Sequence, residues 1–566
     1  MSETLISEGE TSRRANAYGA IVHALQRRLV DWFAQRHAYD HFSHLALITL
    51  VAIALWTFQD YAISNDEGVQ HRYGELIVAY YTSNFTDRAL FAFDNLYLYG
   101  GLFDVAAVLL SKAIPVDAYE LRHLLCALIG IGGIAVSAAT ARLICGPRAA
   151  FFTIVTLTLC GSWYGGMFNH TKGIPFAAFM AGAVYFLVRA SRDLPRPQMR
   201  HVIGFGIMMG AALGIRSIGL LLIGYAAIAV LMNVPRPVAG HVQARAQFAM
   251  TAALWLMPAF VIAYLIMIVA WPWAALAPLN PIRGLLTFGD FHYKIRTILF
   301  GQLYDMADVP RYYTPTYIAI RLPLLTLAAM LFAVAVAAFP TLTRGEIADG
   351  RRRREIALVA FSAAFPVLCQ VATQGPAFDG CRHFLFVFPP LAILAGIGLS
   401  TALDLLTLVN RAVAAVALLA IAASYAWTAQ KLVALHPHEY LYYNRLVGGL
   451  EGASRRFVTD YWVNIMPEAV EELHEYLDRT ELPSTKAAAP IYRVAVCGER
   501  VSFEEYARPN LHWVKMSEWR FADFYIAPAH MNCDRILAGK TIARIERMGV
   551  TIGVVKDRRR VREQEE

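Results

Sequence analysis

Residues 248–271 read FAMTAALWLMPAFVIAYLIMIVAW, a run without a single charged side chain. About 20 apolar residues suffice to cross a hydrocarbon layer as a helix. The run lacks the apolar–polar alternation of a barrel strand. Backbone groups in lipid must be satisfied within their own segment, so a helix is required. Similar runs fall at about 44–59, 121–141, 148–167, 173–190, 201–214, 217–232, 320–340, 356–372, 384–402 and 411–428. Together they predict about eleven transmembrane helices. Composition agrees: of 566 residues, 57% are hydrophobic and 17% charged, against about 25% charged in a soluble domain. These figures exclude an ordinary soluble enzyme and a disordered chain. The net charge of +8 fits basic cytoplasmic loops facing anionic lipid, so no nucleic-acid partner is expected.

Lys and Arg orient the spans. With the N-terminus in the cytoplasm, the inner connections hold Arg13, Arg14, Arg27, Arg28 and Arg36, then Arg142 and Arg148, then Arg189, Arg192, Arg196 and Arg200, then Arg236 and Arg245, and finally Arg344 with Arg351 to Arg354. Short outer connections hold single cations: Lys172, Arg216 and Arg382. The positive-inside rule favours this arrangement over its inverse. No cleavable signal peptide is expected, because a polar arm precedes the first apolar run.

Three regions follow: a cytoplasmic arm (1–43), a transmembrane domain (44–428) and an extracytoplasmic α/β domain (429–566). In the last, Pro467, Val470, Leu473 and Leu477 predict an amphipathic helix over 467–482. Strands are expected at Tyr492–Val496, at Phe524–Ala527 and around Val550–Val555. Cys497 and Cys533 can pair if this domain is extracytoplasmic; the other five cysteines lie in or beside apolar segments and read as small hydrophobes.

Polar chemistry collects on the predicted outer face. The long first loop, about 60–118, carries Ser64-Asn65-Asp66-Glu67, Arg72, Arg88, Asp94 and Asp104 around an aromatic middle. It reads as helices lying along the membrane interface. Three further clusters are Asn169-His170-Thr171-Lys172-Gly173, Gly214-Ile215-Arg216-Ser217 and Asp379-Gly380-Cys381-Arg382-His383. The loop 272–319 adds Asp290, His292, Lys294, Tyr304, Asp305, Tyr312 and Tyr313. Taken singly, Arg216 and Lys172 read as snorkelling cations, and Asp66 and Glu67 as solvated acids. Taken together, isolated cations interrupt the outer ends of several spans while acids gather in one loop. A charge at membrane depth usually faces a cavity and a partner, and a cluster of Arg and Lys suits a phosphate. No soluble nucleotide motif is present, so the energy for a group transfer would come from a membrane-borne donor.

At these residues the chain resembles two glycosyltransferase families. The long first loop with Asp66-Glu67 resembles the protein O-mannosyltransferases, and the overall plan resembles the aminoarabinose transferases that modify lipid A. Both are GT-C fold, family 39-like enzymes that use polyprenyl-phosphate sugars. The segment Met167 to Ala177, Gly214-Ile215-Arg216, and Gly380 to Phe386 with Pro389-Pro390 are similar to segments of bacterial members. So are His436-Pro437, Tyr442-Tyr443-Asn444, Gly448-Gly449 and Asp460-Tyr461-Trp462. His170 and Gly173 depart from the family's Pro and Asp, and Tyr99-Gly100-Gly101 stands where the mannosyltransferases carry His-Pro.

The resemblance implies transfer of a single sugar from a polyprenyl-phosphate donor to a hydroxyl of a glycolipid, polysaccharide or protein, with inversion, at the outer face of a bacterial inner membrane. It assigns Asp66 as the base and Asp94 as the second acid, with Glu67 and Asp104 as competitors. Arg216, Arg382 and Lys172 would hold the phosphate with His383 as helper. His170, Tyr313, Tyr443, Asp460 and Trp462 would contact sugar or acceptor. Outer carboxylates leave room for a divalent metal, but no spacing demands one, so no cofactor is required. Asp66, Asp94, Arg216 and Arg382 should then surround one cleft, with the soluble domain over its mouth. The alternatives are a transporter or flippase for a lipid-linked sugar, and a ligase that moves glycans from a pyrophosphate carrier.

Overall fold

The computed structural model describes residues 37–235, 242–289, 295–339, 349–480 and 490–565. Arg13, Arg14, Arg27, Arg28, Arg36, Arg236, Asp290, His292, Lys294 and Arg344 lie outside the described residues. The chain is a multi-pass, predominantly helical membrane protein with a small α/β unit at its C-terminal end.

Among the described residues seven helices are long and apolar enough to cross a membrane: Ala38–Asp60, Ala118–Cys145, Gly173–Ser191, Val242–Ala270, Gly350–Thr373, Arg382–Val409 and Arg411–Leu435. Two bent pairs raise the number to nine: Pro147–Thr158 with Gly161–Asn169 (70°) and Tyr313–Arg321 with Leu324–Ala338 (113°). The remaining two expected spans coincide with the shorter helices Met199–Leu213 and Ser217–Asn233. The expectation of eleven full spans is therefore not met, for local reasons. Arg216 cuts one apolar stretch into two short helices. Pro323 caps Leu324–Ala338 and cannot continue the helix before it.

Local signals set the other helix ends. Asp117 accepts from the N–H groups of Tyr119 and Glu120 at the start of Ala118–Cys145, satisfying two orphan donors. Gly146, at φ 87°, ends that helix, and Pro147 opens the next. Small residues set the packing distances: a Cβ on Gly398 would stand 2.0 Å from the Ala329 carbonyl oxygen, and one on Gly206 2.6 Å from that of Ala259. Helix Arg382–Val409 lies at the centre, with 94% of its apolar window buried, against 11% for Ala38–Asp60 and 22% for Arg411–Leu435. At the end of the bundle remote from the first loop, the ion pairs Arg142–Asp40 (2.8 Å), Arg148–Asp404 and Arg192–Glu355 (2.6 Å) tie helices together.

The last span is followed by a strap, 436–465, pressed onto the bundle. Glycines admit it: a Cβ on Gly161 would stand 2.3 Å from the Glu439 carbonyl oxygen, and one on Gly165 2.4 Å from the Tyr440 nitrogen. Arg321, buried, donates to the carbonyl oxygens of Tyr440, Tyr442 (3.3 Å) and Val458 (2.7 Å). Asn444 donates to the carbonyls of Ala319 and Leu322, both at 2.7 Å. Helix Met466–Thr480 then packs Val470, Leu473 and Leu477 inward, as the sequence pattern predicts.

The sheet beneath that helix has five strands, two more than expected. A hairpin, β1 (Arg296–Leu299) and β2 (Gln302–Asp305), stands apart in the loop before Tyr313. The sheet itself holds β3 (Tyr492–Val496), β4 (Leu511–Val514), β5 (Phe524–Pro528), β6 (Lys540–Arg547) and β7 (Val550–Asp557), in the order β4-β3-β5-β7-β6. β3 runs parallel to β4 and β5; β7 runs antiparallel to β5 and β6. Cys497 and Cys533 form a disulfide across it.

Replacing Arg321 by Ala would leave the buried Tyr440 and Tyr442 carbonyls without this donor and the Val458 carbonyl with Tyr443 alone. The expected cost is about 3 kcal/mol or more, read as a lower unfolding temperature of the detergent-purified protein. An unchanged melt would show that the strap does not depend on this arginine.

Candidate active site

The site begins with a backbone zipper. Gly100 and Leu102 donate to the carbonyls of Ile215 (3.2 Å) and Gly214 (3.0 Å), and Gly101 donates to that of Ala270 (2.9 Å). A Cβ on Gly100 would stand 2.0 Å from the Gly214 oxygen, so only glycine permits this approach. The zipper carries Tyr99 to Arg216, on the turn between the two short helices.

Beneath it lies a buried charge network. Asp104 pairs with Arg122 at 2.8 Å and with Lys172 at 3.9 Å. Glu67 accepts from the Ser64 nitrogen (2.7 Å) and from His123 Nε2 (3.1 Å), and lies 4.0 Å from Arg122. Lys172 Nζ stands 4.6 Å from the centre of the Tyr99 ring. Burial holds its ammonium below the ordinary lysine value, against the opposing pull of Asp104. This network fixes the first loop, the start of helix Ala118–Cys145 and the 170–172 turn relative to one another.

Arg382 occupies the mouth of the site. Its guanidinium pairs with Asp66 at 3.3 Å and Asp379 at 3.0 Å, and stacks 4.6 Å from the centre of the Trp462 ring. Its Nε donates to His383 Nε2 at 3.2 Å, while Arg216 Nη1 reaches His383 Nδ1 at 3.4 Å. A neutral imidazole offers one acceptor, so it can satisfy only one of these two guanidinium groups. Arg216 has no carboxylate partner among the described residues, and its buried Nε meets no acceptor. Donors aimed into the site thus outnumber acceptors. Arg216 and His383 also line a cavity of about 200 Å³ whose remaining wall includes Ile218, Leu285, Met306, Phe378 and Phe384. A cavity with cationic donors on one side and apolar walls elsewhere suits an amphiphile with an anionic head.

The structure joins Asp66, Arg216, Arg382, His383 and Trp462 into one cleft, with Lys172 and Asp104 in the layer beneath. Asp66 keeps a carboxylate that is 39% exposed. His170 is buried, with its ring 5.2 Å from Trp462 and its Nδ1 accepting from Gly173. Burial, then Arg382 and Arg216, holds it well below the ordinary histidine value, so it is neutral.

Asp94 is not drawn in. It is exposed in a turn at φ 45°, and its carboxylate makes no hydrogen bond or ion pair among the described residues. Glu67, fully buried, faces the network rather than the cleft. Tyr313 accepts from the Gly380 nitrogen (2.9 Å) and so braces the Asp379 turn. Tyr443 donates to the Val458 carbonyl, and Asp460 accepts from the nitrogens of Asn464 and Ile465. These three hold the strap and its neighbours. Among the described residues no group of three or more His, Cys, Asp or Glu side chains is placed to hold a metal.

Sequence reasoning left three contributors without a role. Asp379 stands three residues before Arg382, in a quoted cluster. Burial first, offset by Arg382, pushes its carboxyl up to about 6. Arg122 lies inside a predicted span, where a cation needs a partner, and that was its signal. His530 comes from the soluble domain, 3.9 Å from Asp379, with no local signal.

No protein-family model matches the chain, and no curated protein matches it. Solved structures similar to it include ArnT from Cupriavidus metallidurans bound to undecaprenyl phosphate (16% identity, TM-score 0.46, covering 90% of this chain and 97% of that one). The Archaeoglobus fulgidus oligosaccharyltransferase in complex with Zn and sulfate is similar at 14% identity and TM-score 0.44, covering 85% and 68%. Arabinofuranosyltransferase AftD from Mycobacteria is similar at 13% and 0.41, covering 90% and 39%. ArnT, an aminoarabinose transferase, belongs to one of the two families that the sequence resembles.

An anion bound at Arg382 would have to compete with Asp379 for its guanidinium. With its carboxyl at about 6, Asp379 is charged above that pH and neutral below it, whereas His530, held by burial at about 3, stays neutral throughout. Sulfate, whose own charge is constant over this range, should stabilise the protein more at pH 5 than at pH 7.5 in thermal-shift titrations. Asp379→Asn should remove most of that pH dependence; a dependence unchanged in the variant would refute the competition.

Proposed function

We propose that the protein is a membrane glycosyltransferase that moves a single sugar from a polyprenyl-phosphate donor to an acceptor hydroxyl of a glycolipid, polysaccharide or protein. The observation that carries this reading is the meeting of an accessible carboxylate, Asp66, with donor-rich Arg382 and Arg216 at an apolar-walled cavity. In this reading the lipid tail lies along the cavity and between helices. Arg216 and Arg382 bind the phosphate, with His383 bridging them and Lys172 adding positive potential from below. Trp462, buried between Arg382 and His170, backs the Arg382 guanidinium rather than offering a free face to the sugar.

The chemistry follows from charge. Asp66 takes the proton of the acceptor hydroxyl. The oxygen attacks the anomeric carbon from the face opposite the phosphate, so configuration inverts. The bond between the anomeric carbon and the phosphate oxygen breaks, and its electron pair leaves with the lipid phosphate. A phosphate leaving group needs little protonation, so one base suffices, and the arginines offset the growing negative charge. Asp104 and Arg122 then act by positioning the first loop and Lys172.

The same reading places the site on the periplasmic side of a bacterial inner membrane, with the N-terminus in the cytoplasm. The disulfide lies at the site's end of the molecule, and disulfides persist in oxidising compartments. Arg142, Arg148, Arg192 and the Arg351–Arg354 run lie at the other end.

Asp66→Asn should lower transfer by roughly 10²–10⁴ with little change in donor binding. Arg216→Ala should instead weaken donor binding, by about 1–3 kcal/mol. Wild-type turnover by Asp66→Asn would take the base role from this residue. Glu67→Gln should chiefly lower the unfolding temperature, since Glu67 is a buried acceptor. In cells, an impermeant maleimide added from outside should label Cys497 and Cys533 only after reduction. Labelling from the cytoplasmic side alone would invert the topology.

A further inference from the structure

Helix Arg411–Leu435 is the last long helix, and most of its surface is uncovered: Val416, Leu419 and Val433 are exposed at 65%, 70% and 76%. A helix apolar enough to span, with such residues outward, faces lipid. Near its site end stands Trp427, half-exposed, as tryptophans do at a membrane–water interface. Lys431, one turn further along, places its ammonium 4.9 Å from the centre of that indole. Arg445, from the strap, places its guanidinium 4.9 Å from the same ring.

These two cations come from different parts of the chain, and neither pairs with a carboxylate or donates a hydrogen bond among the described residues. Several other arginines at this end are engaged: Arg321 with backbone carbonyls, Arg455 with Asp534, Arg547 with Glu468. Glu451, the one carboxylate lining the same cavity, makes no ion pair with either cation. The cavity holds about 320 Å³ between the helix, the strap and Met548 of the β6–β7 turn. Gly448 and Gly449, at φ 80° and 68°, give the strap the left-handed turn that shapes one wall.

We propose that this cleft is a second anion site, separate from the transferase cleft, which holds the phosphate headgroup of an anionic lipid from the adjoining leaflet. Lys431 and Arg445 take the phosphate, Trp427 sits at headgroup level, and the acyl chains run down the exposed face of the helix. The uncovered apolar face, continuous with the cations, is what favours a lipid over a soluble phosphate.

The test uses full-length protein in detergent, titrated with phosphatidylglycerol, phosphatidylcholine or inorganic phosphate and read by native mass spectrometry. Wild type should retain phosphatidylglycerol on the order of tenfold more tightly than phosphatidylcholine. Lys431→Gln and Arg445→Gln should each erode that preference and the double variant abolish it, with lipid-free melting temperatures unchanged because neither side chain holds the fold. An undiminished preference in the double variant would overturn the site. Competition by millimolar inorganic phosphate would overturn its assignment to a lipid. Because Asp66 and Arg216 are untouched, loss of this preference with donor binding intact would separate the two clefts.

Discussion

Arg382 is where the end of the molecule that carries the candidate site is tied together. It opens the most buried helix of the bundle, at a depth where an unpaired guanidinium is costly. Its planar fork can engage several partners at once, and four parts of the chain supply them: Asp66 from the first loop, Asp379 from the preceding turn, His383 as the bridge to Arg216, and Trp462 from the strap. Each partner is held in turn by its own support. Tyr313 braces the Asp379 turn, the Gly100 zipper holds Arg216, and Arg321 pins the strap.

The bundle was legible in the sequence because hydropathy is a local property: each expected apolar run coincides with a helix or with a bent helix pair. What interrupts a helix is also local, yet its consequence is not. Arg216 and Pro323 shorten or bend spans by amounts that depend on what packs beside them. In the soluble domain β3, β5 and β7 announce themselves as apolar runs. β6 does not, because Lys540, Arg544, Glu546 and Arg547 leave it half exposed at the sheet edge.

The site was legible to the level of which loops carry it. It was less legible in which acid of a loop faces in. Asp66 and Glu67 are adjacent, but at a helix start successive side chains diverge by about 100°. One therefore meets Arg382 and the other turns to Arg122 and His123. Asp94 was expected as the second acid, and Asp379 had no assigned role. Asp379 precedes an arginine in a turn braced by Tyr313, whereas Asp94 stands on a turn that packs its aromatic neighbours and leaves the carboxylate in solvent. His530 depends on the fold of a whole domain, on the Cys497–Cys533 bond and on Arg455 gripping Asp534.

The distribution of buried charge bears on the proposed reading. Asp40, Arg122 and Glu355 lie in the first two turns of their helices, and Arg321 is the last residue of its own. Lys172 caps the start of its helix, and Arg216 sits in a turn between two. A carrier that passes a polar substrate across the bilayer needs polar groups near the midplane. A transferase whose donor already resides in the membrane needs them only where headgroup meets acceptor, with apolar walls below for the tail. Arg216 and Arg382 beside an apolar cavity at one end of the bundle fit the second requirement, and the middle turns of the described spans hold no buried charge. In the proposed reading such a site would hold a lipid phosphate at one end of the bundle, with the partly exposed Asp66 left open to the acceptor.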